Sequence, residues 1–382
     1  MSGTLIQLVS YGAENIPINY NPEITFFKTV FKRYYNFAME SVYQPIHDSV
    51  DFDKEININL SKKGDLLSKV YLEVTLPHSN ENNSYWTNRI GFNLIKKIEV
   101  YIGNQLFDRQ YGQWMHIHNN INESIETNNI IDKIVGKQRL LSNQSQKIII
   151  PFYFSFCKHY QNSIPLCALI HQEVKFKIFF NSKINCHQNG TIPTGGLTNA
   201  KLWCDFIYID DELKKNIVQN KTNYLYESVE RYQKNINKNF IKNISLPFTL
   251  PSKEIIFVIK SNDNTGDKFT SFKSINNLNL VKKAQFKIEN TNVLSDGFKD
   301  GNYFNKIIPF KYHNGNIDTG INILSFSLKP NDLEPSGYLF FKELKKPTLF
   351  VESLEDGMIH IYSVGYNIIT FDKGYISKKY IY

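Results

Sequence analysis

Short runs in which apolar and polar residues alternate dominate the chain. DKEININLS (residues 53–61) sets Ile56, Ile58 and Leu60 on one side, and SKVYLEVTLP (68–77) does the same with Val70, Leu72, Val74 and Leu76. KKIEVYIGNQLF alternates through Ile98, Val100 and Ile102 before a polar turn at Gly103 and Asn104. HQEVKFKIFF, LWCDFIYIDDE and KEIIFVIK continue the series, and Gly, Asn, Pro and Ser punctuate the gaps. A period of two predicts strands, and their shortness and spacing predict antiparallel sandwiches or barrels with one wet face.

Two stretches break this rhythm. NPEITFFKTVFKRYYNF (Asn21–Phe37) spaces Ile24, Phe27, Phe31 and Tyr34 helically, with Lys28 and Lys32 largely opposite, so a short amphipathic helix or turn is expected. YGQWMHIHNNINESIETNNII (111–131) places Trp114, Ile117, Ile121 and Ile125 at helical intervals. A polar segment, DDELKKNIVQNKTN (Asp210–Asn223), divides two β-rich halves, and the strand pattern restarts at YLYESVERYQ. The runs from Lys96 and Lys282 both open Lys-Lys, continue as an alternating strand and turn on polar residues, which hints at two similar sandwiches.

Composition narrows the class without naming a chemistry. The 382 residues suffice for two cores, and 42% hydrophobic with 21% charged is a globular mixture. Aromatics reach 14%, which suits pleated surfaces. The net charge of +8 permits an acidic partner such as nucleic acid or anionic headgroups without requiring one. Four cysteines (Cys157, Cys167, Cys186, Cys204) form no C-x-x-C pair and read as reduced thiols. The N-terminus lacks the basic and apolar regions of a secretory signal, and no apolar run has the ~18 residues of a membrane span.

The sharpest chemical candidate is His116-x-His118 with Glu123 beyond it, a spacing like that of cupin-type metal sites. On a strand the two histidines would share a face; on a helix they stand roughly 200° apart and cannot chelate together. The Trp114/Ile117/Ile121 stripe argues for the helix. His159, His171, His187, His313 and His360 stand apart in sequence, and zinc-type thiol spacing is absent. Phosphate-loop, metalloprotease, nucleophile-elbow and dinucleotide signatures are missing as well. Asp210 and Asp211 lie in the polar segment, as expected of a solvated surface. The Asn-x-Ser/Thr sequons at Asn59, Asn82, Asn122, Asn143, Asn189, Asn220 and Asn243 match what an Asn-rich chain produces by chance. No catalytic, cofactor or metal residue is assigned.

Four blocks carry a family resemblance: NPEITFFKTVFKRYYNFAMES, IGFNLIKKIEVYIGNQLFDRQYGQWMHI, IIIPFYFSFCKHYQNSIPLCALIHQEVKFKI and INILSFSLKPNDLEPSGYLFFKEL. Together, and in this order, they resemble the major capsid protein of nucleocytoplasmic large DNA viruses. The motif residues are Asn21, Pro22, Phe26 and Phe27; Tyr111, Gly112 and Trp114; and Pro330, Pro335, Ser336 and Gly337. The resemblance implies an all-β chain of two consecutive eight-stranded antiparallel jelly rolls, with short helices in the connections. The expected division is an arm at 1–22, a first jelly roll at 23–212, a linker at 213–223 and a second jelly roll at 224–382.

It further implies a structural virion protein, made in host cytoplasm, that forms a homotrimeric pseudo-hexagonal capsomer tiling an icosahedral shell. Its partners would be itself, neighbouring capsomers, minor capsid proteins and an internal virion membrane, with no sequence-specific nucleic-acid binding. Lys28, Lys32 and Arg33 would then face the interior near anionic lipid. Trp114 and Ile117 are expected to anchor a short helix against the first jelly roll. Pro330 and Gly337 are expected to shape a turn before the strand YLFFKEL. The alternatives are a minor or vertex-associated paralogue and, remotely, a metal-dependent cupin-like enzyme using His116, His118 and Glu123.

Overall fold

The computed structural model describes residues 36–380 apart from 79–83, 137–144, 263–266, 268, 290, 294–295, 314–316 and 333. The readings placed on Asn21, Pro22, Ile24, Phe26, Phe27, Lys28, Phe31, Lys32, Arg33 and Tyr34 lie outside the described residues. Phe37, the last residue of the expected helical stretch, already begins a strand.

Among the described residues, eight principal strands build the first jelly roll: β1 (Phe37–Gln44), β2 (Glu55–Asn59), β3 (Leu66–Leu76), β4 (Ile95–Ile102), β5 (Gln105–Gln110), β6 (Gln146–Pro151), β7 (Val174–Phe180) and β8 (Thr198–Ile209), beside the short pieces Tyr85–Trp86, Ile164–Pro165 and His187–Asn189. One sheet runs β1-β8-β3-β6 and the facing sheet β2-β7-β4-β5, all antiparallel. The second jelly roll repeats the plan with β9 (Thr222–Ile236), β10 (Ile241–Ser245), β11 (Pro251–Ser261), β12 (Val281–Ile288), β13 (Thr291–Val293), β14 (Asn322–Ser325), β15 (Pro347–Ser353) and β16 (Gly357–Asp372). Its sheets run β9-β16-β11-β14 and β10-β15-β12-β13, the same order shifted by eight. The two Lys-Lys runs singled out in the sequence are β4 and β12, which hold the same place in the two sheets. β17 (Tyr375–Lys378) closes a hairpin on β16.

Alternation explains the cores. Ile56, Ile58, Val70, Leu72, Val74, Ile98, Val100 and Ile102 all point between the first pair of sheets and are buried. Each such side chain contributes about 1.5–3 kcal/mol through removal of apolar area from water. Ile255, Phe257, Ile259, Ile359 and Ile361 do the same between the second pair. β11 departs from the expected one wet face, since every residue from Pro251 to Ile259 is buried. Its second face carries Ile256 and Val258, and a helix from the other jelly roll covers it.

Five helices matter to the argument: α1 (Ile90–Leu94), α2 (Gly112–Asn122), α3 (Ile125–Val135), α4 (Asp211–Gln219) and α5 (Ile308–Tyr312). α3 starts where the Ser124 hydroxyl accepts the Thr127 N–H and stops at Gly136, whose φ of 82° suits glycine. Ile125, the last residue of the expected stripe, opens this new helix and is 61% exposed. The polar segment after β8 is helical: Asp210 caps α4 by accepting the Leu213 N–H at 2.8 Å, and Asp211 sits in its first turn. All four cysteines are free, and burial pushes the Cys157, Cys186 and Cys204 thiols up. No helix among the described residues is long and apolar enough to cross a membrane.

Candidate assembly joint

α2 wedges between the two jelly rolls. It begins where β5 ends, and Gly112 makes that start possible. A Cβ there would lie 2.0 Å from the Phe92 carbonyl oxygen and 2.2 Å from that of Ile95. The glycine therefore lets the helix press against the backbone of α1 and the first residue of β4. From that footing Met115 reaches into the first core, while Trp114, Ile117 and Ile121 project the other way. They join Val229, Ile256, Val258, Ile323, Tyr362 and Val364, the outward face of β9-β16-β11-β14. Trp114 and Ile117 thus anchor the helix against the second jelly roll and not the first, because the helix's first-core contact is already supplied by Met115.

Polar contacts cross the same joint. The Tyr362 hydroxyl donates to Gln113 Oε1 at 2.8 Å, and its ring lies 5.3 Å from that of Trp114. Tyr111 packs its ring 4.5 Å from the Arg231 guanidinium. Tyr226 of β9 donates to the Phe107 carbonyl at 3.1 Å, and Ser228 donates to Asp108 at 2.7 Å. Burial pushes the Asp108 carboxyl up to about 6, against the pull of the Ser228 bond.

Charge is also buried here. Glu227 of β9 faces Lys158 from the first jelly roll at 2.8 Å and is also paired with Lys253 of β11. Burial alone would raise the Glu227 carboxyl, but the two lysines outweigh it and hold it near 2. Lys253 also donates to the Pro330 carbonyl at 2.5 Å. Next to it, Glu254 meets His313 at 3.0 Å, so His313 is not isolated in space. These partners went unrecognised in the sequence. The available signal was Lys253-Glu254 at the head of an apolar strand, since paired charges on a fully buried strand need partners.

The block around Pro330 folds back on itself. Ser336 accepts the Leu328 N–H through its carbonyl at 3.3 Å and the Lys329 N–H through its hydroxyl at 2.8 Å. Gly337 has φ 141°, and a Cβ there would meet the Phe326 carbonyl oxygen at 2.6 Å. Pro330 is buried, whereas Pro335 is exposed. The expected strand YLFFKEL is reduced to Leu339–Phe340, after which Phe341–Glu343 make a 3-10 turn that buries Phe341 in the second core.

The histidine pair falls on α2 and is split. Arg89 donates to His116 Nδ1 at 3.1 Å while its guanidinium also holds Asp132 at 2.7 Å. A guanidinium only donates, so that imidazole nitrogen accepts. His118 instead lies between Tyr153 and Trp114, with ring centroids 5.0 and 5.8 Å away. Neither of its ring nitrogens has a hydrogen-bond partner among the described residues. Burial, reinforced by Lys158, holds its pKa well below the ordinary value, so the ring is neutral. His118 and Glu123 line a cavity of about 580 Å³ that Trp114, Lys158, Glu227 and Pro330 also border. Three of the four resemblance blocks therefore converge on one place. No group of three or more His, Cys, Asp or Glu side chains among the described residues is arranged to hold a metal.

Comparison with known proteins agrees with this geometry. Residues 25–210 match the family model for the major capsid protein N-terminus, and 214–377 match that for the large eukaryotic DNA virus major capsid protein. The chain is 29% identical to a major capsid protein of Pyramimonas orientalis virus, with 98% of each chain covered. It is 26% identical to probable capsid protein 4 of Acanthamoeba polyphaga mimivirus, covering 97% of each. In fold it is similar to a chain of the quasi-atomic PBCV-1 virus capsid, with a TM-score of 0.84, 22% identity, and 94% of this chain and 100% of that one covered.

Proposed function

The chain belongs to the large eukaryotic DNA virus major capsid protein family and is a virion capsid component, and from that premise we propose that it works by assembly, as a homotrimeric pseudo-hexagonal capsomer. The proposed units are a first jelly roll at 23–212 and a second at 224–382, joined through 213–223, with residues 1–22 as an arm. One observation carries this reading: the two jelly rolls have the same strand order and α2 of the first docks on the second. Three copies of such a pair supply six similar blocks around a three-fold axis, which fills a six-neighbour lattice.

Within this reading the motif residues are structural. Gly112 and Trp114 set the joint, and Pro330, Ser336 and Gly337 shape the loop that meets Lys253. The chain performs no catalysis; its partners are its own copies, neighbouring capsomers and minor capsid proteins. Contact of Lys28, Lys32 and Arg33 with an internal anionic membrane is proposed on charge and aromatic content alone. Liposome binding by the wild type and by a triple-alanine variant at those positions tests it, and equal binding rejects it.

Light scattering of the purified protein tests the central reading. A mass of three chains, each 44.6 kDa, supports it; a stable monomer rejects it. The similarity to probable capsid protein 4 keeps one sister reading in view, a minor or vertex-associated component. Copy number in purified virions separates the two, because a major protein dominates the particle's mass.

A further inference from the structure

Gly112 and Gly301 occupy matching places in the two jelly rolls. Each comes just after a strand segment paired with the corresponding sheet strand: Gly112 follows β5 on β4 after one residue, and Gly301 follows Lys299–Asp300 on β12 directly. A Cβ on either glycine would strike the carbonyl oxygen of that strand's first residue, Ile95 at 2.2 Å or Val281 at 2.0 Å. Three residues on, Met115 and Phe304 are each buried in their own jelly roll's core. Both glycines therefore launch a helical segment in the same manner: α2 from the first jelly roll, and the helical turns Tyr303–Ile307 and α5 from the second.

The fates of the two segments differ. α2 lays Trp114 and Ile121, two and nine residues past its glycine, on the outer face of the second jelly roll's sheet. Nine residues past Gly301 stands Phe310, which is 89% exposed, with Ile307 beside it at 45%. Ile308 of the same helix is buried in the cluster that holds Trp114, whereas Phe310 and Ile307 leave apolar area in water that burial against a partner would remove.

The matching receptor also exists. The outer face of β1-β8-β3-β6 corresponds to the face that receives α2, and β1 presents Phe37, Met39 and Tyr43 there. Ala38 is buried and Val42 packs against the first core, so the exposed three share the other side of the strand. Tyr43 is 52% exposed and stands edge-on to Trp203 with ring centroids 5.8 Å apart.

We propose that the Phe310 segment of one copy seats on the outer β1-β8 face of a second copy, repeating between chains the contact that α2 makes within one. The step from first jelly roll to second is then the same as the step from second to the next chain's first. A heterologous contact repeated at constant rotation closes a ring when that rotation divides the full circle, and six such steps make a ring of six jelly rolls in three chains. The inference rests on the trimer reading and supplies its interface.

Four variants and the wild type test it by light scattering and by hydrogen exchange over residues 37–43 and 303–312. Phe310→Asp and Tyr43→Glu are each expected to shift the particle from three chains to one while keeping the wild-type circular dichroism spectrum. Ile275→Asp, at an exposed apolar position elsewhere (69%), is expected to stay trimeric. A trimeric Phe310→Asp variant with both segments still protected overturns this interface and leaves the trimer standing. A monomeric wild type removes the trimer itself. If deletion of residues 1–35 deprotects 37–43 in a trimer that Phe310→Asp does not dissociate, the N-terminal segment is the occupant and the proposal fails.

Discussion

Lys158, from the first jelly roll, lies 2.8 Å from Glu227 on β9 of the second, and both side chains are largely withdrawn from water. Lys253 pairs with the same carboxylate from a neighbouring strand. Removing Glu227 would leave two buried ammonium groups facing each other. Glu227→Gln is therefore expected to lose about 3–5 kcal/mol of stability at pH 7. Its carboxyl is held near 2 in the folded chain against an ordinary value of 4.5. A depressed carboxyl stabilises fully above its unfolded pKa, and that contribution fades as pH falls toward the folded pKa. Thermal melts should show the gap between wild type and variant narrowing from pH 4.5 to 2; a constant gap would contradict the pairing.

Gly112→Ala and Gly301→Ala are expected to destabilise alike. Each new methyl would start 2.0 Å from a backbone carbonyl oxygen, Phe92 for Gly112 and Val281 for Gly301, so the helical segment must move away from the backbone beneath it. A cost of about 1–3 kcal/mol follows, as for other overpacked sites. Gly297→Ala meets nothing within 4 Å and serves as the near-neutral comparison. Chemical denaturation of the three variants checks the order.

Trp114→Ala should cost about 3–5 kcal/mol through lost packing. Its position adds a second signature, since the ring ties α2 to Tyr362 across the joint. Calorimetry is expected to show one transition for the wild type and two for the variant as the jelly rolls uncouple. A single transition merely shifted downward would place Trp114 in one core only.

His118 is expected to behave as a buried neutral ring and not as a ligand. Its pKa is depressed below 6.5, so the stability it permits is present above that value and declines as pH falls below it, when the unfolded chain alone takes the proton. His118→Phe removes two unpartnered nitrogens and should raise the melting temperature more at pH 5 than at pH 8. Zinc at stoichiometric concentration should leave the wild-type melt unchanged. A zinc-dependent rise abolished by His118→Phe would revive the metal reading.

How much of this was legible in the chain differs by element. The strands at Ile56–Leu60, Val70–Leu76 and Ile98–Ile102 declared themselves, because a period of two with one buried face leaves no other local solution. The helix at Trp114–Ile121 was equally plain, and its periodicity correctly divided His116 from His118. What it packs against was not, since periodicity reveals an apolar face and not its partner. For the same reason KEIIFVIK looked half-wet: its second face is covered by a helix about 140 residues earlier. Ile125 misled by continuing the spacing across Ser124, whose capping hydroxyl starts a new helix at that point. The Glu227, Lys158 and Lys253 cluster is assembled from three distant segments, and no local pattern encodes such a meeting.

The most direct test of the central claim is an electron cryo-microscopy reconstruction of the purified protein. The account predicts a three-fold particle with six barrels in a near-hexagonal ring and density joining the Phe310 segment of each chain to β1 of the next. A particle of one chain, or a trimer in which the two jelly rolls of each chain lie apart with α2 undocked, would contradict it.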